Sequence, residues 1–168
     1  GQSLGELMLD AAKTVQEMLP SDCTSFLNYD ETEKVFKVIA EAGWPSPESP
    51  GAIPGGQRSQ SGYTVQMGET VISRDLATES RFESSQSVKA AGLKSGLSVC
   101  IKIGDRPLGV LAAFSLQTRD FSRDDVSFVQ SIGNVITAAI DRHHAEESIH
   151  RAKADAESAN RAKSEFLS

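Results

Sequence analysis

Leu4, Leu7, Ala11, Val15 and Met18 fall three and four positions apart, which places them on one stripe of a helix. Ser3 and Glu6 open that helix as a capping box, and Pro20 closes it. From Thr24 to Ala42 the strand formers Phe26, Val35, Val38 and Ile39 flank the turn-forming run Asp30–Lys34, the pattern of an antiparallel hairpin. Trp44–Gln57 carries four of the chain's six prolines, so an extended surface loop with no regular element is expected. Ser59–Met67 reads as a short helix ended by Gly68, Thr70–Leu76 as a strand, and Ser84–Gly92 as another short helix. Leu97–Ile103 and Leu108–Leu116 form a second hairpin across "GDRP".

The last element is the longest. Ser122 and Asp125 form another capping box, and from Asp124 onward there is no proline and one glycine, Gly133. Up to Ile140 the apolar residues are large (Val126, Val129, Ile132, Val135, Ile136, Ile140) and should pack on the sheet. Beyond Asp141 they thin to a narrow seam of Ile149, Ala152, Ala156, Ala159, Lys163 and Phe166, alternately three and four apart. Glu147 with Arg151, and Glu157 with Arg161, stand four apart with the acid first, the favourable order on a helix. A seam this narrow suits a two-stranded coiled coil rather than attachment to a globular core. The organisation expected is therefore a domain over residues 1–140 and a signalling helix over 141–168.

Composition narrows the class. The chain of 168 residues is 39% hydrophobic and 24% charged, with a formal net charge of −6 and its acids and bases mixed along the sequence. Nucleic-acid binding calls for a clustered cationic face, and none is present, so no nucleic-acid partner is expected. The longest apolar run, Leu108–Phe114, is far short of the ~20 residues a bilayer demands, and no signal peptide opens the chain. Membrane contact is not expected, and a cytoplasmic protein is. Cys23 and Cys100 have neither metal-ligand nor disulfide-framework spacing and read as two reduced, semi-buried thiols.

The order of elements, with "SGYTVQMGETVISRDLATESRF" (61–82), "AGLKSGLSVCIKIGDRPLGVLAAFS" (91–115) and "FSRDDVSFVQSIGNVITAAI" (121–140), resembles the GAF domain. That resemblance implies an α+β, PAS-like fold in which helices flank a central antiparallel sheet of about six strands. The first and last helices would share one face of the sheet, and a small-molecule pocket would lie on the other. The run "ESANRAKSEFLS" (157–168) resembles the segment that leads into the dimerisation helix of sensor histidine kinases. It implies that a phospho-acceptor histidine and a kinase core using ATP and magnesium follow, with a response regulator as downstream partner. It also implies a homodimer joined through the N- and C-terminal helices. His143, His144 and His150 lack the following acid and proline of that family and read as solvated helical residues.

By the same resemblance the pocket candidates are Trp44, Arg58, Ser61, Tyr63, Asp75, Phe82, Ser98 and Cys100. Trp44 and Tyr63 are amphipathic aromatics able to stack on a ligand, and Arg58 is able to meet an anion. The plainer roles are a lid over core for Trp44, a packed helix residue for Tyr63 and a solvated side chain for Arg58. Asp75 and Arg81 are expected to pin their loop as a salt bridge. Cys100 lies between Val99 and Ile101 with no histidine before residue 143, so the bilin and haem signatures of the family are missing and no cofactor is expected. Three functions remain: a sensory module of a two-component kinase, a dimerising spacer that binds nothing, and a thiol-dependent methionine sulfoxide reductase. The last requires a low-pKa cysteine, whereas Asp22 beside Cys23 raises its pKa and no cysteine cluster is present.

Overall fold

The structure is a computed structural model describing residues 2–45 and 58–167 together with the backbone of Ile53 and Pro54. Helix α1 (Leu4–Met18) starts from the expected capping box, with the Ser3 hydroxyl accepting from the Glu6 N–H and the Glu6 carboxylate accepting from the Ser3 N–H. Strands β1 (Cys23–Asp30) and β2 (Val35–Ala42) form the first hairpin. Its turn is held by Asp30, whose Oδ1 accepts from the backbone N–H of Thr32 and of Glu33. The segment that proline density marks as free of regular structure contains a two-residue strand, β3 (Ile53–Pro54), paired with Val35 and Phe36 of β2. Proline is tolerated there because an outermost strand has one row of backbone groups with no ladder to serve. The rest of that loop, 46–52 and 55–57, lies outside the described residues.

Helix α2 (Gln60–Met67) is capped by Ser59 and ends on Gly68 in the left-handed region, as its sequence demands. Strand β4 (Val71–Ser73) is shorter than expected, and α3 (Gln86–Ala90) is a helix of five residues. The second hairpin, β5 (Ser95–Ile103) and β6 (Arg106–Ser115), joins the first through β1 and β6, the central pair of a six-stranded antiparallel sheet of order β3-β2-β1-β6-β5-β4. Last comes α4 (Arg123–Leu167), one unbroken helix of 45 residues whose capping box joins Ser122 to Asp125.

Strand alternation sorts the core into two layers. Phe26, Leu97 and Leu111 point to the face covered by α1 and α4, where they meet Met8, Val15, Val129 and Ile136. Leu27, Val110, Ala112 and Phe114 point to the other face, under α3 and its flanking loops. Fully burying a side chain such as Val129 or Ile136 is worth about 1.5–3 kcal/mol, enough to seat the first part of α4 firmly. Gly133, on the same stripe, faces Val99 and Ile101 of β5.

Three faces differ from their sequence reading. The buried stripe of α1 is Met8, Ala11, Ala12 and Val15, about one residue round from the expected one, leaving Met18 70% exposed. Val135 on α4 is 54% exposed rather than packed, because Val129, Ile136 and Ile140 already fill the surface toward the sheet. Ile39 is exposed because β2 bulges there, Phe26 facing Ala40 and Leu27 facing Val38 with Ile39 left unopposed. No helix among the described residues is long and apolar enough to cross a membrane.

Candidate functional site

A cavity of about 420 Å3 opens on the sheet face away from α1 and α4. On β1 the small residue Ser25 lies on its floor, with Ala112 of β6 beside it in register on the same sheet face. On the other flank Ser25 faces Glu41 of β2, so the hydroxyl and carboxylate project on the same side of the sheet. Ser25 is 4% exposed, and its hydroxyl has no hydrogen-bond partner among the described residues. Leu27, Phe36, Val38 and Phe114 complete the floor, while α2's start (Arg58–Ser61), Phe82 and the run Glu83–Val88 form the rim and roof.

Trp44 forms one wall. Gly43, with φ +81°, turns the chain out of β2 at this point; a Cβ there would collide with the Asp22 carbonyl. The indole N–H donates to the Thr24 carbonyl at 2.9 Å, and the ring stands edge-on to Phe114 at 6.0 Å. Thr24 in turn sends its hydroxyl through to the opposite side of the sheet, where it donates to the Ala12 carbonyl of α1 at 2.6 Å.

Of the sequence-derived candidates, Trp44, Arg58, Ser61 and Phe82 line this cavity, and Tyr63, Asp75, Ser98 and Cys100 do not. Tyr63 stands behind Phe82 (ring centroids 5.7 Å apart), and both rings lie under the Arg81 guanidinium at 5.8 and 5.6 Å. Arg81 does not pair with Asp75. Its fork grips Glu79 at 2.8 and 2.9 Å and donates to the Ile72 carbonyl at 2.6 Å, while Asp75 accepts from the Ala77 N–H within its own turn. Those charge-assisted hydrogen bonds hold the Glu79 carboxyl down at about 2. The clamp fixes the loop that carries Phe82 into the cavity wall.

Ser98 belongs to a small polar core. Its hydroxyl shares a 2.7 Å hydrogen bond with Thr64 and accepts from the Gln60 amide at 3.1 Å. Cys100 is half-buried at the outer edge of β5, beyond the end of β4, lining a separate cavity of about 510 Å3 with Lys102, Gln130 and Thr137. Burial pushes its thiol up, with Lys102 opposing that shift. The Cys23 thiol is pushed up to about 11, chiefly by burial and then by Asp22 and Glu41. Cys23 and Cys100 face β6 residues four apart, roughly 13 Å along the strand, so they cannot join in a disulfide without rearrangement. The residues that sequence reasoning missed are Ser25 and Glu41. Strand alternation from Leu27 would have placed Ser25 on the cavity face.

The family model for the GAF domain matches residues 1–141. The chain belongs to the GAF domain family. Its fold is similar to the GAF domain of an Acinetobacter phosphoenolpyruvate-protein phosphotransferase, with 23% identity, a TM-score of 0.72 and 87% of each chain covered. A domain of a putative two-component sensor histidine kinase from Sinorhizobium meliloti 1021 aligns at 17% identity and a TM-score of 0.66, over 89% of this chain and 99% of that one. The free methionine-R-sulfoxide reductase of Neisseria meningitidis, in complex with its substrate, aligns at 18% identity and 0.69, over 81% and 77%. At these identities the likeness shows a shared GAF fold. None of the curated proteins matches the sequence.

Proposed function

We propose that this GAF domain is the sensory module of a cytoplasmic two-component histidine kinase, working as a homodimer. Occupancy of the cavity, or a neighbouring domain, shifts α1 and α4 relative to one another, and α4 carries the change toward a kinase core. The observation that carries the reading is the continuity of α4: one helix is buried at Val129, Ile136 and Ile140 and then runs exposed from Asp141 to Leu167. At 1.5 Å per residue it is ~68 Å long, so more than half its length stands clear of its own subunit. Ile149 and Phe166, 70% and 89% exposed, lie on the narrow seam, and Val135 stands two heptads before Ile149 in the same phase. The exposed apolar line thus begins on the body of the domain, which favours a second helix lying alongside. The resemblance of 157–168 to the run entering kinase dimerisation helices supplies the kinase attribution.

The fold alone does not choose among these roles, since phosphotransferases and a reductase share it. Two features weigh in favour of sensing. The cavity is open rather than packed with side chains, against a pure spacer. Both thiols are held protonated by burial, against reductase chemistry, which needs a thiolate. Thermal shift of the domain against a panel of metabolites and nucleotides tests the reading. A reproducible rise for one compound supports sensing, and a flat panel favours the spacer.

A further inference from the structure

We infer that the GAF cavity takes a small uncharged aromatic molecule carrying a hydroxyl group, the hydroxyl paired with Ser25 and the ring held among Phe36, Trp44, Phe82 and Phe114. The inference rests on the sensory reading above and names the ligand class for the same cavity. Ser25 sets the polar contact. It is 4% exposed and lines the cavity, yet its hydroxyl has no hydrogen-bond partner among the described residues. A serine this deeply enclosed normally finds a partner inside the protein, so an unmet hydroxyl on a cavity floor is a place for a guest. It offers one hydrogen and two lone pairs, and a second hydroxyl can answer it in either sense. A guest without a polar group would displace water from Ser25 and replace none of its hydrogen bonds.

The ionisable groups that border the cavity do not call for a charge on the guest. Glu41 already has an interaction of its own. Arg58 and Glu83 are exposed at the rim and of opposite sign, and the Glu83 N–H donates to the Arg58 carbonyl. Leu27, Phe36 and Phe114 are buried, so an ionic head group among them gives up far more hydration than a neutral hydroxyl does. The walls choose an aromatic body. The Trp44 N–H is spent on the Thr24 carbonyl and its ring already stands edge-on to Phe114, so what it offers the cavity is ring surface. Rings gain from edge-to-face and offset packing beyond the area they bury, which an aliphatic body of the same size does not. A cavity of about 420 Å3 lies in the range that encloses small ligands.

Trp44 is the chain's only tryptophan and lines the cavity, so its emission reports occupancy. The intact chain is titrated with benzyl alcohol, toluene, cyclohexylmethanol, benzylammonium and phenylacetate at matched ionic strength. Excitation is at the red edge of the indole band, where a benzene ring does not absorb. Benzyl alcohol is expected to change the emission saturably, at least tenfold more tightly than either ion and several-fold more tightly than toluene or cyclohexylmethanol. Ser25→Ala should lower benzyl alcohol affinity several-fold and leave toluene affinity unchanged or higher, a split that a merely structural serine would not produce. Far-UV circular dichroism should stay unchanged, because the substitution removes no internal hydrogen bond. Should the variant unfold, the ranking of the five probes on the unaltered chain decides the matter alone. Equal or tighter binding of either ion or of cyclohexylmethanol, benzyl alcohol binding that falls no more than toluene binding in Ser25→Ala, or no response to benzyl alcohol overturns the inference. If an ion saturates while the alcohol does not, ligand sensing survives and the assignment of ligand class falls. If no probe saturates and the metabolite panel is flat as well, both fall.

Discussion

Glu79 carries a clear pH signature at the scale of a single residue. Its folded carboxyl sits at about 2 against an ordinary 4.5, so the ionised form is favoured by folding. That stabilisation is complete above about pH 4.5 and is lost as pH falls through 2. Glu79→Gln should flatten the loss of stability between those limits and lower stability at neutral pH, read as denaturation midpoints across the acid range. At Gly133 the effect runs the other way. A Cβ there meets Ile101 and Val99 at 3.7 and 3.9 Å, ordinary contact distances, and the residue sits mid-helix. Gly133→Ala should therefore raise stability by about 1 kcal/mol, the difference in helix propensity, measured by urea unfolding. A fall in stability would mean that the close seat of α4 on β5 has no room for a methyl group.

Helices with chemical punctuation were readable element by element. Ser3, Ser59 and Ser122 cap where the sequence places a start, Ser85 caps one residue after the expected Ser84, and Gly68 and Gly92 both take the left-handed conformation at a finish. The face each helix turns inward was harder to read. Met18 and Val135 have the right spacing, but periodicity alone cannot distinguish adjacent stripes when neighbouring residues are also apolar, as Met8 and Ile136 are. Strand β3 was hidden because Ile53 and Pro54 are recruited by Phe36 and Val35, a long-range pairing with no local signal. The cavity was legible in part. Trp44, Arg58, Ser61 and Phe82 line it, whereas Tyr63, Asp75, Ser98 and Cys100 serve as wall support, turn, polar core and sheet edge. Family pattern locates segments, and the direction of a side chain within a segment is set by register. At this scale the exposed half of α4 makes its own prediction. Ala156→Glu, or Ala159→Glu, should lower the dimer fraction in sedimentation equilibrium, because a charge on each strand of a paired seam repels its twin. Unchanged association would remove the paired-helix reading while leaving the domain intact.

For the whole molecule, the proposed kinase attribution is tested on the product of the entire gene. If the proposal holds, incubation with ATP and magnesium should give it an acid-labile phosphoryl group on a histidine other than His143, His144 and His150. A protein that stays unlabelled when correctly folded would return this GAF domain to the other signalling and metabolic settings its fold serves. The sheet separates the cavity from the helix pair, yet the partition is a single strand thick. The hydrogen bond from the Trp44 indole to Thr24 and that from Thr24 to Ala12 meet at one residue of β1. A guest that nudges the indole must either break the first bond or drag Thr24 with it, and Thr24 is fastened to the backbone of α1. If the cavity does sense a guest as proposed, news of an arrival would reach the opening helix first, and the long closing helix would learn of it second-hand, through the neighbour it leans on.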